Sequence, residues 1–212
     1  MTTPHPHAAR RRAPSQHRSR DTVDAICAAA TAILVEEGIT AFTTNAVARR
    51  AGVSITSLYA FFPNKWSIVH ELSERFERLR GDYIDEVFAQ LATADDWRAL
   101  IRELWRRLAE LRVSVPGGVA LRQALGATPE LVEIDREQSR RAAAAFADAI
   151  LARRPDLDPA DVARAAWAST ISAGTLLDDI CWTGAIDEPK LAVALELTIR
   201  SMAPYMDPAP AP

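Results

Sequence analysis

The stretch Phe42-Thr-Thr-Asn-Ala-Val-Ala-Arg-Arg-Ala-Gly-Val-Ser-Ile-Thr-Ser-Leu-Tyr-Ala-Phe-Phe-Pro-Asn-Lys65 decides the fold. It reads as two short helices joined by a tight glycine turn. Thr44 is placed to cap the first helix, because its hydroxyl can accept from a backbone N–H two or three residues on. Val47, Ala48 and Ala51 recur at three and four residues, one apolar face of a 3.6-residue period. Gly52 follows, where a helix end wants a residue that enters left-handed backbone space without steric cost. Ser54 is the next cap, Leu58 and Phe61 give the second helix its apolar face, Pro63 stops it, and Asn64 caps the helix that follows.

The spacing carries a further implication. A small Ala48 four residues before Gly52 lets the two helices approach closely at a steep angle, and Leu58 and Phe61 pin the second onto the first. Ile55, Thr56, Ser57, Tyr59 and Ala60 remain on the outer face, short or mixed side chains suited to a DNA major groove. Periodicity alone leaves a plain helical hairpin as the alternative.

Thr43-Thr44, Ala48, Ala51-Gly52-Val53-Ser54, Leu58-Tyr59, Phe62 and Lys65 resemble the N-terminal signature of the TetR family of transcriptional regulators, and Phe62-Pro63-Asn64-Lys65 is similar to that family's exit from the recognition helix. The resemblance covers roughly residues 21–72. Thr56 departs from it, standing where many members carry glycine or alanine, which alters the base-reading surface. Beyond Leu72 the likeness is one of layout only, an all-helical and sequence-variable body. The resemblance implies that Thr44, Ser54, Thr56, Ser57 and Tyr59 face DNA. It puts Tyr59 and Lys65 on phosphates, with Arg49 as a further phosphate partner, and Ile55 and Thr56 toward base edges. Arg50 is read as solvated.

The chain has 212 residues, enough to bury a real core as one large or two small domains. Alanine, leucine and arginine dominate and glycine is scarce, which favours helix. No apolar run approaches the ~18 residues that span a bilayer. The basic N-terminus is not followed by an apolar segment, which argues against a signal peptide and for a cytoplasmic protein. Cys27 and Cys181 sit far apart in apolar helical contexts, as reduced buried thiols. The net charge of −3 conceals an asymmetry: residues 1–65 carry +4 and the remainder −7. A basic head on an acidic body suits a head that meets a polyanion.

Residues 1–20, rich in Pro, His, Ser and Arg, read as a disordered basic arm, with Arg10-Arg11-Arg12, Arg18 and Arg20 either solvated, on phosphates or in a minor groove. Residues 21–66 make the helix-turn-helix domain. Its first helix runs from Asp21 to Glu37 on Val23, Ile26, Cys27, Ala30, Ile33 and Leu34, with Ile39 and Phe42 folding back. Residues 67–204 make a ligand-binding and dimerisation domain, and residues 205–212 a disordered tail. A long helix from Lys65 to Leu91 turns Ile68, Val69, Leu72, Phe76, Leu79, Tyr83, Val87, Phe88 and Leu91 inward, with Gly81 able to soften it. Helices then start at Asp95-Asp96, Val119, Thr128-Pro129 and Asp158-Pro159, and a last one spans Glu188 to Met202. The expected architecture is all-α, a three-helix head plus a helical bundle.

The helix after Asp158 is rich in Ala, Ser and Gly, and the last helix offers Leu191, Leu195, Thr198 and Met202 as a seam. Two such helices per chain can build a four-helix bundle across a two-fold axis, or pack within one chain. The resemblance favours the homodimer, whose two heads match a palindromic operator on double-stranded DNA. A pocket in the body has as candidate lining Tyr83, Phe88, Trp105, Arg122, Gln123, Phe146, Trp167, Asp178 and Trp182, aromatics beside a few polar groups that suit a largely apolar effector.

Catalytic chemistry finds no footing. Beyond the arm the one histidine is His70, there is no Gly-rich phosphate loop, and no paired-ligand metal motif or cofactor is expected. Asp178 and Asp179 diverge by about 100° on a helix and share no site. The function expected is therefore a ligand-responsive DNA-binding regulator, a repressor released by a small molecule, and not an enzyme. The alternatives are a constitutive dimeric DNA-binding protein and a helical-bundle ligand binder or enzyme with a vestigial head.

Overall fold

The computed structural model describes residues 17–126 and 129–208, and of these the side chains of His17, Arg18 and Glu130 are left aside. Every element among them is a helix: α1 (His17–Glu36), α2 (Gly38–Ala41), α3 (Thr44–Ala51), α4 (Ile55–Phe61), α5 (Lys65–Leu91), α6 (Trp97–Ser114), α7 (Gly118–Leu125), α8 (Pro129–Arg153), α9 (Pro159–Ile180) and α10 (Glu188–Met206). The chain is all-α, with an N-terminal helix-turn-helix and a C-terminal helical part, as the sequence leads one to expect. The helices form two compact units. One takes in the described residues up to Glu77 together with Pro116–Ile134; the other comprises Arg78–Val115 and Asp135 onward. The helices α5 and α8 run unbroken through this division.

In the first unit α1 packs against α2, α3 and α7, and α3 against α4. Its core is a cluster of wholly buried side chains: Ile26 and Ile33 from α1, Phe42, Leu58, Phe62 and Ile68. Each contributes about 1.5–3 kcal/mol of apolar burial, which a head this small needs. Phe62 takes the place the spacing assigns to Phe61. The helix ends at Phe61, the chain turns into extended backbone at Phe62, and that turn swings the Phe62 ring inward and leaves Phe61 half-buried. The close approach of α7 to α1 needs Gly117. Its φ is +75°, and a Cβ there would lie 2.4 Å from the Thr31 methyl.

In the second unit α6, α9 and α10 pack on one another around Trp97, Ile101, Leu177, Ile180, Leu191 and Met202. Asp96, Asp158 and Asp187 cap α6, α9 and α10 by accepting from backbone N–H groups. Three expectations change. Leu79 is 57% exposed and Ile84 is buried in its stead, because the inward face of α5 shifts along this long helix. Leu191 and Met202 are buried inside the chain's own fold; the large apolar residues that α10 leaves outside are Val193 and Leu197. Helix α10 also continues past Met202 and through Pro204 to Met206. Proline costs about 3 kcal/mol inside a helix, and a clamp from residues distant in sequence holds the turn that follows it. Asp207 accepts from Trp97 Nε1 at 2.8 Å and from both terminal nitrogens of Arg98 at 2.9 and 2.6 Å. Arg153 donates to the carbonyls of Met206, Leu91 and Ala94. Helix α1 begins at His17, ahead of the apolar periodicity that starts near Asp21. Arg10, Arg11 and Arg12 and the Thr128 cap lie outside the described residues.

Cys27 and Cys181 are both buried thiols. Cys181 Sγ lies 3.7 Å from the Ala109 carbonyl, to which it donates, and burial pushes its thiol up from the ordinary value.

Candidate nucleic-acid interface

The turn between α3 and α4 is built entirely from local chemistry. Thr43, not Thr44, caps α3: its hydroxyl accepts from Ala46 N at 3.1 Å. Thr43 has the extended backbone a cap requires, whereas Thr44 is already helical. At the other end Gly52 has φ +67°, its N–H donates to Arg49 O at 3.3 Å, and Val53 N donates to Ala48 O at 3.1 Å. These are the two bonds of a Schellman motif, which satisfies carbonyls a helix end would otherwise orphan. Ser54 then caps α4, accepting from Ser57 N at 3.0 Å while its own hydroxyl donates to Ser57 Oγ at 2.9 Å. Asn64 and Ser67 cap the start of α5 reciprocally, Ser67 N donating to Asn64 Oδ1 and Asn64 N to Ser67 Oγ.

Leu58 is fully buried, and this one anchor orients α4. On the opposite side Ile55 is 36% and Tyr59 42% exposed, with Ser54, Thr56, Ser57 and Ala60 also exposed. The structure therefore brings Ser54, Ile55, Thr56, Ser57 and Tyr59 onto one accessible surface. Thr44 joins them from α3, its Oγ1 3.1 Å from Tyr59 Oη. Arg49 is exposed at the end of α3. Arg50 is not merely solvated. It donates to Glu36 at 2.5 Å and lies 3.6 Å from Glu37, tying α3 to the end of α1, and this hydrogen bond lowers the Glu36 pKa. Lys65 is half-buried, with Nζ 4.2 Å from the ring centroid of Trp66, a cation–π pair. Trp66 escaped sequence reasoning; an aromatic directly after the lysine is the signal that could have found it.

The effector candidates scatter more widely. Phe88 and Phe146 stack at 5.0 Å with a 14° interplanar angle. Trp105 is buried. Tyr83 Oη is buried, and Arg107 lies 5.7 Å from its ring; burial, then the nearby Glu103 charge, raises its pKa. Asp178 accepts from Arg112 Nε at 3.0 Å. Arg112 is 2% exposed, a charged group that composition and periodicity gave no reason to place inside. Trp167 and Trp182 are 56% and 61% exposed. Arg122 and Gln123 stand on α7, in the first unit, half-buried and exposed respectively. Among the described residues no three His, Cys, Asp or Glu side chains group as a metal site, and no helix is long and apolar enough to cross a membrane.

Comparison with known proteins agrees with this arrangement. Residues 26–72 match the bacterial regulatory proteins of the tetR family, and residues 96–199 match the tetracyclin repressor-like C-terminal domain. No curated protein sequence matches. A TetR-family transcriptional regulator from Streptomyces coelicolor is 27% identical, with 90% of this chain and 100% of that chain covered and a TM-score of 0.63. A TetR-family regulator from Mesorhizobium loti is 20% identical over 89% of this chain and 98% of that one, with a TM-score of 0.65. SmeT, the repressor of the Stenotrophomonas maltophilia multidrug efflux pump SmeDEF, shares the fold at 17% identity and a TM-score of 0.62, covering 91% of this chain and all of its own. SmeT is also known in complex with triclosan. With its helix-turn-helix built as described and both halves matched, the chain belongs to the TetR family of DNA-binding transcriptional regulators.

Proposed function

We propose that this protein is a non-enzymatic, cytoplasmic, ligand-responsive repressor that binds a palindromic operator as a homodimer. The observation that carries the reading is the face of α4: Ile55, Thr56 and Tyr59 stand exposed on a helix anchored by a buried Leu58 and capped at both flanking turns. Ile55 and Thr56 meet base edges, the Ile55 side chain and Thr56 methyl being suited to a thymine methyl. Tyr59, Lys65 and Arg49 hold phosphates, and Ser54 and Ser57 line the same surface. The basic N-terminal arm and the head, residues 1–66 together, form the DNA-binding part, and the residues from 67 through the end of α10 at Met206 form the regulatory part.

Dimerisation through α9 and α10 is supported by what these packed helices leave outside. Trp167 and Ile171 share one exposed face of α9, and Val193 and Leu197 one of α10, at 56, 37, 63 and 58% exposure. An unpartnered apolar face of this size is costly in a soluble protein, and a second copy covers it. For the ligand, SmeT offers the precedent of a small, largely apolar molecule. The aromatic residues Tyr83, Phe88, Trp105 and Phe146 and the carboxylate Asp178 suit such an effector. Release requires the effector to bind the DNA-competent and DNA-incompetent arrangements unequally, and α5, continuous from Lys65 to Leu91, is the element to carry the difference.

The test is binding of the purified protein to sheared genomic DNA of its source at two salt concentrations. Arg49 and Lys65 from two heads give a log–log salt slope of about −3 to −4. Recovery of a short palindrome with that slope supports the reading. Recovery of nothing above background refutes it. Release of the recovered duplex by apolar compounds then separates a ligand-responsive protein from a constitutive one.

A further inference from the structure

Thr44 begins α3 and Tyr59 lies within α4, fifteen positions apart, yet their hydroxyl oxygens are 3.1 Å from one another. Thr44 has no capping duty to explain its hydroxyl, because Thr43 accepts from Ala46 N. Tyr59 is 42% exposed, so burial alone does not hold its ring. We propose that Thr44 is a positioning residue for Tyr59, acting on DNA through the phenol and making no independent contact of its own; the proposal rests on the reading that Tyr59 meets a phosphate.

The reading that Tyr59 meets the phosphate selects one polarity for the pair. A phenol has a single O–H, and a phosphate oxygen takes only donors. If Tyr59 donates to Thr44, the phenol has no hydrogen left for the phosphate, and only the Thr44 hydroxyl could meet it. If Thr44 donates to Tyr59 Oη, the tyrosine hydrogen turns outward. An anion at the surface favours this second state, since the bond it accepts is charge-assisted and a chain of hydroxyls polarises each member in the same sense. The bond also fixes the ring before DNA arrives, so less side-chain freedom is lost on binding. Ser54 and Ser57 repeat the pattern one turn earlier, hydroxyl to hydroxyl at 2.9 Å, so this surface arrives with its polar groups already arranged.

The experiment is fluorescence anisotropy of the full chain with a fluorescein-labelled random-sequence duplex at low salt, since a phosphate contact needs no operator. Tyr59→Phe is expected to weaken binding about three- to tenfold for each head that engages the duplex, the worth of one hydrogen bond per head. Thr44→Val should weaken it to the same extent, Thr44→Ser should restore it, and the double variant Thr44→Val/Tyr59→Phe should bind no worse than Tyr59→Phe alone. Thr44→Ala, which introduces no new bulk, repeats the measurement should the valine disturb folding as read by circular dichroism. Losses that multiply in the double variant would show Thr44 contacting DNA by itself and overturn the proposal. So would a Thr44→Val protein that binds normally while Tyr59→Phe is weakened, or a serine that fails to rescue. Normal binding by Tyr59→Phe would instead remove Tyr59 from the interface, and with it both the contact and its positioning.

Discussion

Replacing Gly117 by alanine tests the closest approach in the head unit, and two changes of the same kind separate its causes. Gly117 and Gly52 both have positive φ, +75° and +67°. An alanine in left-handed space costs about 1–2 kcal/mol at either position. At Gly52 a new Cβ meets nothing within 4 Å, so Gly52→Ala should cost that strain alone. At Gly117 the new Cβ falls 2.4 Å from Thr31 Cγ2, far inside the ~3.5–4.0 Å of a carbon–carbon contact. Thr31 must give up its rotamer or α7 must lift from α1, and either costs free energy. Overpacking of this sort adds about 1–3 kcal/mol, and Gly117→Ala should cost about 2–5 kcal/mol in all. Thr31→Ser deletes the offending methyl; the next atoms are Thr31 Cβ at 3.6 Å and Val35 Cγ2 at 3.7 Å, both ordinary contacts. The double variant Gly117→Ala/Thr31→Ser should then fall back to the cost of Gly52→Ala plus about 0.8 kcal/mol for the lost methyl. Urea unfolding of all four variants and the parent at one protein concentration measures this, since any self-association makes stability concentration-dependent. If Gly117→Ala costs no more than Gly52→Ala, or if Thr31→Ser gives no relief, the packing of α7 on α1 is not what demands glycine.

Asp207→Ala orphans the Trp97 indole N–H, which lies on a residue only 1% exposed, and should cost about 1–3 kcal/mol; Asp207→Asn, which keeps an acceptor, should cost less, the exposed Arg98 pair being screened by water. The Asp207 pKa is lowered by hydrogen bonds from Arg98 and then Trp97, so its contribution is complete above the unfolded value of about 3.9 and is lost as pH falls through the lower folded value. Both variants should flatten the acid limb of a Tm-against-pH curve below about pH 4, and an unchanged limb would contradict the clamp. Leu197→Glu puts a charge in the exposed apolar face of α10 and should shift the protein from dimer to monomer in sedimentation, whereas a protein indifferent to the change does not dimerise there. Lys65→Ala should weaken operator and random DNA alike and lower the salt slope by about one per head. Thr56→Ala should change base preference at one position per half-site; an unaltered selection profile removes Thr56 from readout.

Much of the head was legible because its signals are local. Gly52 must be left-handed wherever such a turn occurs, Ser54 and Asn64 cap the helices they precede, and the buried face of α1 follows directly from its period. The errors also have local causes. Thr43 and Thr44 are chemically equal as caps, and the side the chain enters from decides between them. Phe61 and Phe62 are equally apolar, and the turn after α4 chooses which ring goes inside. Arg50 and Trp66 were misjudged or missed for a different reason: the partner of Arg50, Glu36, lies in another helix, and the stacking of Lys65 on Trp66 depends on side-chain rotamers.

The sequence by itself determined that the chain is all helical, where most of the helices start, and that α3 and α4 form a helix-turn-helix with Ile55, Thr56 and Tyr59 outward, because caps, glycine turns and a 3.6-residue period act over a few residues. Only the tertiary structure decided that Arg112 lies buried against Asp178, that Trp167 and Trp182 stand outside, that Val193 and Leu197 are the large apolar residues α10 leaves exposed, and that the helix continues through Pro204. Each of those outcomes is set by groups far apart in sequence: 66 positions separate Arg112 from Asp178, and 110 separate Trp97 from Asp207. A buried charge is stable only where such distant groups supply its bonds, and a local pattern carries no trace of them.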